Sequence, residues 1–233
     1  YEDYLADPLR LFPPEVTFTA YKELFTFPLM KTGYFSTIFV TVVGTALNIF
    51  LLCITAYPLS KRNLKGRNVI MALITFTMFF NGGMIPNYML IRNLKLLDTY
   101  WALILPGCFS AFSVFVMARG FDAVPRALLE AAAIDGAGPF VTFWRIGLPL
   151  GVPGILSALV LAFLEGWNAI EQPMTFLKDP ALWPLSLYLS SAGGQELAVA
   201  MAASLVMLAP AALIFRFGQP YLELGIQASG LKE

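Results

Sequence analysis

The sequence predicts an all-helical integral membrane protein, and three observations carry that expectation. Of the 233 residues, 58% are apolar and only 13% charged, too little charge to cover a soluble domain of this size. Apolar runs near the ~20 residues that cross a bilayer core recur five times along the chain. Basic residues crowd into one short connection between two of those runs, at Lys61, Arg62, Lys65 and Arg67, which is the pattern of a cytoplasmic loop. Composition also excludes several classes. Fifteen basic residues balance fifteen acidic ones, so no nucleic-acid footprint is present. There is no histidine, and Cys53 and Cys108 stand alone in apolar runs. Zinc sites, Cys–His nucleophiles and a disulfide framework are therefore not expected, and the two thiols read as packed core residues.

The elements follow in order. The chain begins at Tyr1 rather than a methionine, so a preceding piece carrying a sixth span is expected. Residues 1–33 mix Glu2, Asp3, Asp7, Pro13, Pro14 and Glu15 and read as an extracytoplasmic segment ending in a short amphipathic stretch over residues 21–27. The membrane domain is expected over residues 34–218, with spans at about residues 34–59, 68–85, 100–118, 151–170 and 197–217. In the first, β-branched Ile38, Val40, Thr41 and Val42 are tolerated because lipid enforces helix. Pro86, Pro106 and Pro210 lie at or inside spans, where they should bend or interrupt them. Gly44 and Ala46, and Ala198, Ala202, Ala203 and Ser204, are candidates for close helix contacts. Residues 219–233 form a cytoplasmic tail.

Placing the Lys61–Arg67 connection inside fixes the other loops by alternation. The inner set then holds nine basic residues and the outer set six, with nine of the fifteen acids outside. Tyr1 falls outside, Glu233 inside, and residues 119–149 inside. This last stretch contains three arginines and three acids between two strongly apolar runs. Pro125 suits a first helical turn, and residues 127–134 are nearly all strong helix formers. Gly136 and Gly138 can take the left-handed geometry that ends a helix, and Pro139 can open the next. The result is a small Ala-rich knob edged by Glu130 and Asp135. Such a knob either packs on its own bundle or fits a groove on another protein, and the physics of the residues alone leaves both open.

Within that loop stand Glu130, Ala131 and Ala132, then Gly136 after three residues, then Ile146, Leu148 and Pro149 after nine more. This order resembles, at every position, the signature of ABC importer membrane subunits. Asp135, Gly136 and Ala137 with Pro153 resemble the carbohydrate-importing, maltose-permease-like branch. Residues 81–86, NGGMIP, with Leu94 to Leu97 resemble a subset linked to complex and acidic oligosaccharides, including alginate importers. The tail from Gly225 to Lys232 resembles the family's Gly-rich ending. Trp167-Asn168 resembles the family's Trp-Asn-Asp motif, but Ala169 replaces the acid, and acids stand instead at Glu165 and Glu171.

The resemblance implies the fold of a type I ABC importer transmembrane domain in a bacterial inner membrane. It implies a coupling helix that docks on the ATPase, with Glu130, Ala131, Ala132, Asp135, Gly136, Ile146, Leu148 and Pro149 in the docking loop. It also implies two ATP-binding subunits holding ATP and Mg, a second homologous permease subunit, an extracytoplasmic solute-binding protein and a lipid surround. No cofactor is expected on this chain. Residues 191–196, SAGGQE, look like an ATPase signature loop, yet no phosphate-cradling GxxxxGK[ST] loop accompanies them, and no Gly-Lys pair exists in the chain, so they are expected to be an external turn.

For the solute path, Glu165 is the one acidic residue inside a predicted span, where charge is costly and therefore points to a polar cavity or partner. Trp167 offers a face for stacking on a sugar, and Asn81, Asn168 and Glu171 offer polar groups near the outer side. Tyr88, Trp101 and Trp183 fit an interfacial aromatic belt. Two other readings stand beside this one: an ABC permease for a peptide or amino acid, and an ion-coupled secondary transporter. The latter calls for paired intramembrane charges.

Overall fold

A computed structural model describes residues 18–26, 29–80, 82–192 and 197–230. Among these every regular element is helical. α1 (Thr19–Thr26) is the short amphipathic stretch before the bundle; its Leu24 is fully buried against Met30, Leu185 and Val199. α2 (Met30–Ser60) follows as an unbroken 31-residue helix, about 46 Å long and so longer than a bilayer core. Its only proline, Pro58, sits in the last turn, which is why nothing interrupts it earlier. α2 exposes Phe35, Ile38, Val42, Phe50 and Ile54, the outward apolar surface of a helix bathed in lipid or covered by another subunit.

The second predicted span does not form as one helix. α3 (Arg67–Phe79) and α4 (Met84–Asn93) meet at 110°. The break falls ahead of Pro86, which the sequence reading held responsible. Gly83 precedes α4 with a left-handed φ of 83°, while Pro86 sits in the first turn of α4, where its missing N–H costs nothing. The third predicted span is α5 (Trp101–Gly107) plus α6 (Ala111–Asp122), bent by 51°. Here Pro106 does lie at the interruption, and Ser110 starts the new helix by accepting a hydrogen bond from the Ser113 N–H.

After the loop helix α7 (Arg126–Ile134), the chain passes through α8 (Pro139–Thr142), a π-helical turn (Phe143–Gly147) and α9 (Leu148–Leu150). It then bends by 72° into α10 (Val152–Trp167). α10 ends at Trp167 with Asn168 as its cap, earlier than the expected residue 170. α11 (Glu171–Phe176) and α12 (Leu185–Ala192) lead to α13 (Leu197–Gly230), which contains Pro210 and Pro220. Among the described residues, two helices are long and apolar enough to cross a membrane alone, and up to five spans result if each bent pair counts as one.

Three apolar clusters hold the bundle. One joins α2, α3, α6 and α10 through Leu52, Ala56, Tyr57, Met117, Phe121 and Ala158; a second joins α1, α12 and α13; a third packs Ile91, Leu103 and Phe176 at the opposite end from the 119–149 loop. Of the expected small-residue contacts, Ala202 and Ala203 are buried, whereas Ala46, Ala198 and Ser204 are exposed. A close backbone-to-backbone crossing lies elsewhere. A Cβ placed on Gly120 of α6 would stand 2.9 Å from the Cα of Gly154 on α10, and the reciprocal distance is 3.0 Å. Both obstructing atoms are backbone, so only glycine at both positions permits this approach.

Candidate functional site

The 119–149 loop is built as two helices around a glycine turn. α7 ends in a paired backbone motif: the Ala137 N–H donates to the Ala132 carbonyl at 2.9 Å and the Gly136 N–H to the Ala133 carbonyl at 3.1 Å. This double closure requires a left-handed residue, and Gly136 supplies it with φ 79°. Gly138 instead is extended (φ −67°, ψ 162°) and leads Pro139 into the first position of α8. Pro125 precedes α7 as its cap residue.

The loop presents more apolar surface than its Ala-rich sequence suggests. Ile134 is 86% exposed, Phe140 75% and Trp144 62%, with Leu128 and Val141 also open. Phe140 and Trp144 stack with ring planes 14° apart. Glu130, Ala131, Asp135 and Gly136 lie exposed in and just after α7, while Ala132 is buried. Farther along, Ile146 and Leu148 are half-buried and Pro149 is exposed. Beneath the loop, Tyr57 of α2 meets Phe121 of α6 edge-on at 5.4 Å and Phe143 of the π-turn at 4.7 Å. The Lys61 ammonium lies 4.6 Å above the Tyr57 ring. These rings pack the base of the loop, at Phe143, against α2 and α6.

At the other end of α10, a cavity of 610 Å³ opens between α2, the α5–α6 break and the α10–α11 break. Glu165, Asn168 and Glu171 line it, and all three are exposed. Asn168 Nδ2 donates back to the Leu164 carbonyl at 2.9 Å. Ala169, where the family motif has its acid, also lines the cavity, and its carbonyl accepts the Ser186 hydroxyl. Trp167 is placed differently from the sugar-stacking expectation. It is buried, stacks on Phe163 at 5.5 Å, and donates its indole N–H to the Met207 carbonyl at 3.1 Å. Its ring and its polar handle are both engaged in joining α10 to α13. Asn81 lies outside the described residues, as do residues 193–196 of the ATPase-like sequence and residues 231–233 of the tail.

α2 contributes cavity residues that the sequence reading passed over. Thr37, Thr41, Thr45 and Asn48 all line it, at spacings of four, four and three, which place them on one helical face. That polar stripe in an otherwise apolar helix was the available signal. Asn48 Nδ2 donates to the Gly107 carbonyl at 3.2 Å, at the α5–α6 break. Thr37 donates to the Gly33 carbonyl and accepts the Leu185 N–H at 2.7 Å.

Comparison with known proteins agrees with this arrangement. The family model described as "Binding-protein-dependent transport system inner membrane component" matches residues 39–227. Protein LplC of Bacillus subtilis is 43% identical over 180 residues, covering 77% of this chain and 61% of LplC; the chain thus spans less than two thirds of that relative. The polygalacturonan/rhamnogalacturonan transport system permease YtcP of Bacillus subtilis is 33% identical, with 99% of this chain and 87% of YtcP aligned. Among solved structures, a chain of a bacterial ABC transporter involved in import of the acidic polysaccharide alginate superposes with a TM-score of 0.82 at 29% identity. That superposition covers 90% of this chain and 81% of that one. An all-helical bundle with broken spans, a glycine-turned loop at one end and a match over most of its length make this chain a member of the binding-protein-dependent transport system inner membrane component family, with the fold of a type I ABC transporter membrane domain.

Proposed function

We propose that this chain is a non-catalytic permease subunit of an ATP-driven, binding-protein-dependent saccharide importer. The observation that carries the energy-coupling part is the apolar tip of the 119–149 loop. A surface holding Ile134, Phe140 and Trp144 this open to water is costly, at about 25 cal/mol per Å² of apolar area, and contiguous patches of this kind mark protein contacts. The rigid base under it, from Tyr57, Phe121 and Phe143, suits a lever better than a flexible tether. Glu130, Ala131, Asp135 and Gly136 border the docking face, Ile146, Leu148 and Pro149 form its return arm, and Ala132 anchors the helix to the bundle.

In this reading two ATPase subunits, holding ATP and Mg, grip the loop from the cytoplasm and close on nucleotide. A second permease subunit covers part of the exposed apolar helix surface, lipid covers the rest, and a solute-binding protein loads the outer face. The C-terminus of α13 lies on the cytoplasmic side with the loop. Saccharide as the cargo class rests on the relatives, whose names include polygalacturonan/rhamnogalacturonan, sulfoquinovosyl glycerol and arabinooligosaccharide permeases, and on the alginate importer fold.

Two measurements test it together. A cysteine at Ile134, the most exposed of the loop's large apolar residues, should crosslink to the ATPase subunit and not to the binding protein; the reverse outcome inverts the orientation. The assembled complex in proteoliposomes should take up oligosaccharide only with ATP and the ATPase present. Uptake without the ATPase, or uptake of peptide alone, overturns the assignment.

A further inference from the structure

The connection between α2 and α3 concentrates positive charge that the neighbouring chain does not neutralise. Lys61, Arg62, Lys65 and Arg67 stand within seven residues, and no acid occurs anywhere between Glu23 and Asp98. Among the described residues none of the four cations is in an ion pair. Two of them are engaged by the fold: the Lys61 ammonium lies over the Tyr57 ring, and Arg67 Nε donates to the Leu59 carbonyl at 2.7 Å. Arg62 and Lys65 are exposed and have no partner among the described residues.

The connection is shaped, not slack. The Leu64 N–H closes one turn on the Lys61 carbonyl, and the Arg67 N–H closes a second on the Leu64 carbonyl, both at 3.2 Å. Gly66 enters α3 with a left-handed φ of 81°, a conformation that suits glycine. The Leu64 side chain packs on the cluster around Leu52 and Tyr57. Arg62 and Lys65 therefore stand on turns that the fold holds in place.

An apolar stripe runs on directly from these cations. α3 buries only Ile74. Val69, Leu73 and Phe76, at spacings of four and three, share one helical face and are 65%, 62% and 56% exposed. Whatever covers this surface meets unpaired cations at one end and apolar side chains at the other. An ATPase subunit, outside the bilayer, reaches the cations and not the stripe. A second permease subunit reaches the stripe, but pairing the cations there would need an acid at membrane depth, which is costly. A phospholipid with an anionic headgroup supplies both halves in one molecule, and each Lys or Arg near such a headgroup layer strengthens attraction about fivefold.

We propose that the 61–67 connection and the outward face of α3 form a binding site for an anionic phospholipid, with its phosphate on Arg62 and Lys65 and an acyl chain along Val69, Leu73 and Phe76. The proposal rests on the membrane placement of this connection and is independent of the cargo.

The test uses the permease–ATPase complex in a neutral detergent, without nucleotide, binding protein or sugar, so its result and that of an uptake assay are separate. Native mass spectrometry measures binding of dioleoyl phosphatidylglycerol, dioleoyl phosphatidylcholine and glycerol 3-phosphate. Phosphatidylglycerol should bind wild type at least tenfold more tightly than phosphatidylcholine, and glycerol 3-phosphate at equal concentration should not displace it. Arg62→Gln combined with Lys65→Gln should weaken phosphatidylglycerol at least fivefold and leave phosphatidylcholine unchanged. Arg92→Gln combined with Lys95→Gln removes the same charge from two exposed residues beyond α3 and should change neither lipid. Equal binding of the two lipids by wild type, displacement by glycerol 3-phosphate, or equal losses in the two double variants would each overturn the proposal; the wild-type comparison stands even where a variant fails to assemble. A photoreactive label on Leu73→Cys should attach to lipid. Its attachment to the second permease subunit, or attachment of the same label on Lys65→Cys to the ATPase, would give the surface to a protein and overturn the lipid assignment.

Discussion

The two ends of α10 are built on opposite principles. At its start, the 119–149 loop is local: a proline, a run of helix formers and a left-handed glycine at φ 79° shape a knob from consecutive residues. At its far end, the cavity is assembled from α2, α5, α10, α11 and the connections at Ser110 and Pro184, with lining residues that span Thr37 to Pro184. The loop is held stiffly by aromatic contacts and exposes its apolar tip, whereas the cavity is bordered by helix breaks and keeps polar atoms inside. This contrast suits a division of labour in which one end receives force and the other meets solute.

The largest expected effect comes from removing the left-handed turn. Gly136→Pro forces φ to about −65° and deletes the N–H that closes on Ala133. ATP-driven uptake should fall by about 100-fold or more, the scale of a lost interface anchor of roughly 3 kcal/mol. Membrane insertion should persist. Wild-type uptake in this variant would erase the distinction between the two ends.

A middle-sized effect should follow at the crossing that links them. In Gly120→Ala the new methyl would press on the Gly154 backbone at 2.9 Å, and overpacking of this kind costs about 1–3 kcal/mol. The expected readout is a lower Tm of the solubilised protein together with weaker coupling of ATPase activity to uptake. Gly138→Ala serves as the control, since a Cβ there meets nothing within 4 Å and its φ is negative. Equal losses in both variants would show that the crossing has no special place in transmission.

The smallest effect is expected at the rim of the cavity end. Asp98 accepts backbone N–H groups from Lys178 and Asp179 and so pins the segment after α11. Asp98→Ala should cost about 1–2 kcal/mol of stability, visible as a modest fall in Tm, with crosslinking at Ile134 unchanged. A loss of ATPase docking in this variant would mean that the two ends are not separable.

The same locality decides what could be read beforehand. Composition and run length are enough to indicate a helical membrane protein, since lipid leaves the backbone few alternatives. The loop signature is legible because its residues are neighbours in the chain and its turn depends on one glycine. The break in the second span lies a few residues ahead of Pro86, and the helix of the fourth span ends at Trp167 instead of residue 170. Proline alone does not mark the break: Pro86 sits in the first turn of α4, and Pro210, also expected to interrupt its span, lies inside the continuous α13. Trp167 shows the limit of residue type as evidence: an aromatic beside an Asn looks like a sugar platform until its indole is found bonded to Met207.

By itself, then, the sequence determined the helical class, the apolar lengths and the glycine-turned loop, because each depends on chemistry within a few turns of chain. Only the tertiary structure decided that Gly120 and Gly154 touch, that α3 and α4 turn away from one another, and that Thr41 and Asn48 share a cavity with Glu165. Those facts depend on which faces of distant helices meet. A helix of nearly uniform hydropathy, such as α2, does not announce its inward face except through the polar stripe that the fold turns toward the cavity.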